Sequence, residues 1–157
     1  MTRTISGRVA ELGYALEAAS APAANYVPFV QDGNLLYISG QISRQGGKPA
    51  YLGQLGNQVS DADGVAAAKL SSLGILSQIA AATGDRLDRV ARVVRLGVFV
   101  ASTPDFNRQS AIANGASDLM VDVFGDAGRH ARSAVGVASL PQGVSVEVEA
   151  VIALTPA

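Results

Sequence analysis

The segment RSAVGVASLPQGVSVEVEAVIAL, residues 132–154, decides the fold. It reads as two strands, Arg132 to Ala138 and Val144 to Leu154, joined by Leu140-Pro141-Gln142-Gly143, whose proline and glycine punctuate a turn. Side chains alternate across a strand, so Val144, Val146 and Val148 point to one side and Ser145, Glu147 and Glu149 to the other. In the first strand the same parity sets Val135 and Val137 against Arg132, Ala134, Gly136 and Ala138. Placing the valines of both strands under a layer of helices puts Arg132 on the face that holds Glu147 and Glu149. That second face, lined by Ala, Gly and Ala beside the arginine, is smooth enough for another backbone to approach closely. It predicts an oligomer, with a monomer wet on one face as the alternative.

Working back along the chain, Ile112, Ala116, Leu119, Met120, Val123 and Phe124 mark one face of a helix that ends before Gly125, with Thr103 as its expected N-cap and Pro104 at its first position. Leu87 to Ala101, rich in Val and Leu, fits a long strand. Ser60 and Asp63 open a second helix, in which Ala66, Leu70, Leu73, Leu76, Ile79 and Ala80 repeat at helical spacing until Gly84. Ile42 to Gln58, with four glycines, reads as a long loop. Tyr26 to Val30 and Leu35 to Ser39 flank Asp32-Gly33-Asn34 as a hairpin. Ile5, Val9, Leu12, Leu16 and Ala19 place an amphipathic helix over Arg3 to Ala19. After that helix the order is ββαβαββ, and two helices can cover only one side of the sheet.

The chain has 157 residues, 48% of them hydrophobic and 16% charged, a length that suits one domain with one core. Its formal net charge of -1 offers no broad attraction to a nucleic-acid backbone or an anionic membrane. The absence of cysteine excludes disulfides, thiolate metal sites and thiol catalysis, and a single histidine argues against a multi-histidine metal centre. Chemistry is left to Arg, Glu, Asp, Tyr, Ser, backbone and water. Arg3, Arg8, Glu11 and Glu17 interrupt the N-terminus, which therefore does not read as a signal peptide, and a cytoplasmic location is expected. Arg86, Arg89, Arg92 and Arg95 form a basic run that Asp85 and Asp88 offset, so it reads as solvated surface. Gly46-Gly47 and Gly53-Gln54-Leu55-Gly56 lack the lysine and helix start of a phosphate loop.

Tyr26, Leu36-Tyr37-Ile38-Ser39-Gly40-Gln41, Arg132-Ser133, Leu140-Pro141 and Val146-Glu147-Val148-Glu149-Ala150, in that order and spacing, resemble the RidA/YjgF family, also called the L-PSP endoribonuclease family. The likeness runs from about Tyr26 to Leu154, with residues 1–25 read as an N-terminal helical extension and 1–157 as a single domain. The resemblance implies an α+β, chorismate-mutase-like subunit whose mixed sheet is covered on one face by two helices. Three such subunits would close a homotrimeric barrel with ligand clefts between them. It further implies hydrolysis of reactive enamines or imines derived from amino acids, giving a 2-keto acid and ammonia without metal or cofactor.

By the same resemblance Arg132 grips the substrate carboxylate, a task suited to its planar, permanently charged fork. Glu147, fifteen residues on, falls where the family's water-positioning acid lies. Tyr26 matches the tyrosine that closes the cleft from the neighbouring subunit, Ser39 the serine thirteen residues later, and Asn114 the helix asparagine. The backbone carbonyl of Ala134 would help to hold the water. His130 before Arg132, and Gly136 in place of a common acidic residue, depart from the family pattern and bear on the substrate. A structural alternative pairs Arg132 with Glu147 or Glu149 as an interface ion pair, keeps Glu149 as a barrel residue and leaves His130 facing solvent. Two other functions fit the family: a non-catalytic protein that binds 2-keto or imino acids, and an endoribonuclease.

Overall fold

The computed structural model describes residues 3–22 and 24–156. Its elements are α1 (Ile5–Glu11), β1 (Phe29–Asp32), β2 (Leu35–Ile42), β3 (Arg44–Gln45), β4 (Lys48–Pro49), α2 (Asp61–Thr83), β5 (Val90–Ala101), α3 (Gln109–Phe124), β6 (Ala131–Val137) and β7 (Val146–Leu154). Five strands make one sheet in the order β1-β2-β7-β5-β6, and β3 pairs with β4 in a small hairpin apart. Only β5 and β6 run parallel, so the sheet is mixed. Both long helices pack on the same face, α2 over β2 and β7, α3 over β5 and β6.

The alternation in β7 fixes this arrangement. Val146, Val148, Ala150, Ile152 and Leu154 are buried in strict turn with half-buried neighbours, and across β5 they meet Val100, Val98, Leu96, Val93 and Val90. These rows form the floor of the core, and Ile75, Leu76, Ile79, Ile112, Leu119 and Met120 from the helices form its roof. Ser60 caps α2 by accepting from the Asp63 N–H at 3.1 Å, and Gly84, at φ +64°, ends it in the left-handed conformation a helix stop favours. α2 is long and apolar enough to cross a membrane. Here its buried side carries Ala67, Ala68, Ser71 and Ser72, with Ser71 donating to the Val146 carbonyl and Ser72 to that of Ala116. Small side chains bring helix, helix and sheet close together, and at the tightest point a Cβ on Gly115 would lie 2.2 Å from the Val65 carbonyl oxygen.

Several expectations need correction. The helix expected over Arg3 to Ala19 stops at Glu11; Gly13 turns at φ +86°, and the chain continues as an irregular strap. Leu12, Tyr14 and Leu16 in this strap still pack on the core, which explains their apolar spacing without a helix. The loop expected over Ile42 to Gln58 contains the β3–β4 hairpin, and Glu17 of the strap accepts from the Gly46 and Gly47 N–H groups at its turn. Thr103 does not cap α3, which starts at Gln109 after a turn in which Phe106 N–H bonds to the Thr103 carbonyl and the Phe106 side chain enters the core.

The facing of β6 is the correction with the widest consequence. Register places Arg132 beside Leu96, Ala134 beside Val98 and Gly136 beside Val100, all on the helix-covered side. Val135 therefore lies on the open side, 46% exposed, and Arg132 does not share a face with Glu147 and Glu149. The small residues do mark a close approach, but what approaches is this chain's own packing: a Cβ on Gly136 would lie 2.7 Å from Ser102 Oγ and 2.9 Å from Gln109 Nε2. Val30, Tyr37 and Val135 give the open face its exposed apolar character, among Arg95, Glu147 and Glu149.

Candidate active site

Strand β2 holds one extra residue against β7 between Ile38 and Gln41, a bulge at Ser39-Gly40. Beyond it Gln41 turns inward and is buried, and Ile42 comes to pair with Glu147. Gly40 makes room for the carboxylate, because a Cβ there would sit 2.1 Å from Glu147 Oε1. A cavity of about 190 Å³ opens over this point, lined by Tyr26, Ser39, Gly40, Gln41, Glu147 and Gln142 among others. Ser39 Oγ donates to the Val27 carbonyl at 2.8 Å, which ties the segment beginning at Tyr26 to the end of β2. Glu147 is half-buried and forms no hydrogen bond or ion pair among the described residues; Arg44 lines the same cavity without pairing with it. Burial first, and the charge of Glu149 second, push its carboxyl above the usual range. Glu149 differs in having a cation within pairing distance, Arg95 at 3.8 Å.

Arg132 lies at the edge strand under α3. Its Nη1 donates to Asn114 Oδ1 at 2.9 Å and to Ser117 Oγ at 3.1 Å, and its Nη2 donates to the Ser110 carbonyl at 3.2 Å. All three partners are neutral, so within the chain Arg132 forms no ion pair with Glu147 or Glu149. Three of the five guanidinium N–H groups are engaged; the remaining two have no partner among the described residues, which suits a two-point contact to a carboxylate. Ala134 lies half-buried on the same side, two positions along β6.

The six residues singled out from sequence thus fall into two groups. Tyr26, Ser39 and Glu147 share one cavity; Arg132, Asn114 and Ala134 share the groove between α3 and β6. The sheet separates them, because Glu147 pairs with Phe99 on the open side and Arg132 with Leu96 on the covered side. Sequence reasoning missed Gln41, whose inward turn depends on the bulge, and Ser117, whose place one helical turn after Asn114 was the available signal. It also left His130 in solvent, whereas the ring is half-buried and bonded to Ser117. Among the described residues no group of three or more His, Cys, Asp or Glu is placed to hold a metal. The basic run is largely engaged: Arg86 pairs with Asp88, Arg89 donates to the Thr155 carbonyl, and Arg95 reaches Ser133 as well as Glu149.

Comparison with known proteins agrees with this architecture. Residues 6–148 match the family described as "YjgF/chorismate mutase-like, putative endoribonuclease", a match that begins inside the segment read as an extension. Protein TCP17 of Trypanosoma cruzi is 52% identical over 98% of this chain and 99% of its own length. The crystal structure of Atu1372 from Agrobacterium tumefaciens superposes with a TM-score of 0.91 at 47% identity, covering 96% of this chain and 92% of that one. A protein from Shewanella oneidensis that also carries an endoribonuclease description superposes at 0.92 with 31% identity, over 97% of this chain and all of that one. By the length of that match and the closeness of these relatives, the chain belongs to the YjgF/chorismate mutase-like family.

Proposed function

We propose that this protein hydrolyses enamine or imine intermediates derived from amino acids to 2-keto acids and ammonia, at sites completed between subunits of a homotrimer. The observation that carries the reading is the division of the site: among the described residues, Arg132 on one side of the sheet forms no ion pair, and Glu147 on the other side forms none either, although Arg44 lines the same cavity. Neither half performs this chemistry alone, and each supplies what the other lacks.

In this reaction Arg132 holds the substrate carboxylate by two parallel charge-assisted bonds. Glu147 orients a water beside the imine carbon and takes its proton as the water oxygen bonds to that carbon. The electron pair of the carbon–nitrogen double bond moves to nitrogen, which takes the proton from Glu147 to give a carbinolamine; Glu147 then takes the hydroxyl proton as the carbonyl forms and passes it to nitrogen, and the carbon–nitrogen bond breaks, releasing ammonia. A carboxyl whose affinity for protons is raised by burial suits both transfers, since it accepts a proton from water and returns it to nitrogen. Tyr26 and Ser39 shape the wall over the reacting carbon. RNA cleavage draws less support, because three of the four arginines in the basic run are engaged, Arg86 with Asp88, Arg95 with Glu149 and Arg89 with the Thr155 carbonyl.

The test measures ammonia release from several amino-acid-derived imines, together with calorimetric binding of 2-ketobutyrate. Arg132→Lys keeps the charge but loses the fork, and should weaken 2-ketobutyrate binding about ten- to a hundredfold. Glu147→Ala should keep that binding while ammonia release falls about a hundredfold or more. A parent protein that binds 2-ketobutyrate but accelerates no imine would leave a binding protein in place of an enzyme.

A further inference from the structure

His130 stands two residues before Arg132, and both reach the Ser117 hydroxyl. Its Nδ1 lies 2.6 Å from the Gly128 carbonyl oxygen and its Nε2 lies 2.8 Å from Ser117 Oγ. A carbonyl only accepts, so Nδ1 carries the proton, and Nε2 of the neutral ring is left as an acceptor. The Ser117 hydroxyl must then donate to Nε2, which turns its lone pairs toward Arg132 Nη1 at 3.1 Å. The result is a directed chain: Arg132 N–H to Ser117, Ser117 O–H to His130, His130 N–H to Gly128.

The far end of the chain is fixed. Gly128 is buried, and a Cβ on it would come within 2.2 Å of the Met120 carbonyl oxygen and 2.6 Å of its carbon. Its peptide is therefore wedged against the last turns of α3, and any other residue would push it away. Ser117 sits one turn along α3 from Asn114, so the helix presents two acceptors to the two hydrogens of Nη1. Asn114 is exposed and its amide can turn; the hydroxyl of Ser117 cannot, while His130 holds its proton.

We infer that His130 is a positioning residue, which holds the Arg132 guanidinium through Ser117 so that its unengaged edge meets the substrate carboxylate. This rests on the carboxylate role of Arg132 proposed above. The imidazole touches neither substrate nor water in this scheme; it sets the direction of one hydroxyl. Its removal should cost carboxylate affinity and leave the acid/base half of the site, around Glu147, unaltered.

The experiment compares His130→Ala, Ser117→Ala, their double variant and Ser117→Thr with the parent and with Arg132→Lys, by calorimetry with 2-ketobutyrate and by imine turnover. Each alanine variant should weaken 2-ketobutyrate binding and raise KM about five- to twentyfold, with kcat at saturation within about twofold of the parent. The double variant should be no weaker than either single one, since both cut the same chain. Ser117→Thr keeps the hydroxyl and should bind like the parent, even if the alanine variants lose some thermal stability. If Arg132→Lys loses affinity while His130→Ala and Ser117→Ala bind like the parent, or if their losses add, the positioning role is overturned and the carboxylate role stands. If Arg132→Lys binds as well as the parent, both fall.

Discussion

At the scale of single residues, Glu147 and Glu149 show how two carboxylates on one strand acquire different chemistry. Glu149 has Arg95 within 3.8 Å; Glu147 has burial and a like charge, both of which favour its protonated form. A carboxyl whose proton affinity is raised on folding binds more protons in the native state than in the unfolded chain. Stability therefore falls as pH rises from the ordinary glutamate range through the raised value, and the full penalty is present above it. Glu147→Gln removes the penalty, so the variant should melt at a higher temperature than the parent at neutral pH and show a flatter pH dependence in that window, while losing turnover. Thermal melts across a series of pH values check this; a variant that melts below the parent at neutral pH and matches it in acid would mean that the ionised carboxylate is held by favourable contacts. Short motifs were enough to single out Arg132 and Glu147 as candidates. Their surroundings were not, because the bonds to Asn114, Ser117 and Ser110 join residues that only the packing of α3 on β6 brings together.

At the scale of elements, periodicity recovered both long helices and four strands of the main sheet, while the first strand lies at Phe29–Asp32 rather than Tyr26 to Val30, and it failed where a segment is held by its contacts rather than by its own pattern. The strap after Glu11 kept a helical spacing of apolar residues because Leu12 and Leu16 pack on the core from an irregular backbone. The facing of β6 failed for a related reason: an edge strand carries valines on its open side when the covered side must be thin, as Ala134 and Gly136 are beneath α3 and the Ser102 turn. Small residues signalled a close approach in both the sheet and the helices, without saying from which direction. At the α2–α3 crossing the contact is backbone against backbone, Gly115 on Val65, which has no flexible end to yield. Gly115→Ala should therefore destabilise the protein by about 1–3 kcal/mol through forced separation of the two helices, although alanine is the better helix former. Urea unfolding measures this directly, and a variant as stable as the parent would show that the crossing adjusts freely.

At the scale of the whole molecule, the open face and the divided site make one argument. Val30, Tyr37 and Val135 leave apolar surface on the side of the sheet that no helix covers, and the two halves of the proposed site lie where one chain cannot join them. In a ring of three identical subunits each contact is the same head-to-tail surface, so each site would take Arg132 from one subunit and Glu147 from the next. This arrangement has a consequence that neither a monomer nor a site within one chain shares. Arg132→Ala and Glu147→Ala proteins should each be inactive alone as assemblies of about three times the 16.0 kDa subunit. Co-expressed or refolded together in equal amounts, they form mixed rings, and going round any mixed ring there is one junction where an intact Arg132 half meets an intact Glu147 half. About three rings in four are mixed and about one site in three of each is intact, so activity should return to about a quarter of the parent's. Sedimentation checks the assembly and ammonia release the recovery. Mixed preparations as inactive as their components would place each site within a single chain, and would turn attention to Arg44, the cation that lines the same cavity as Glu147.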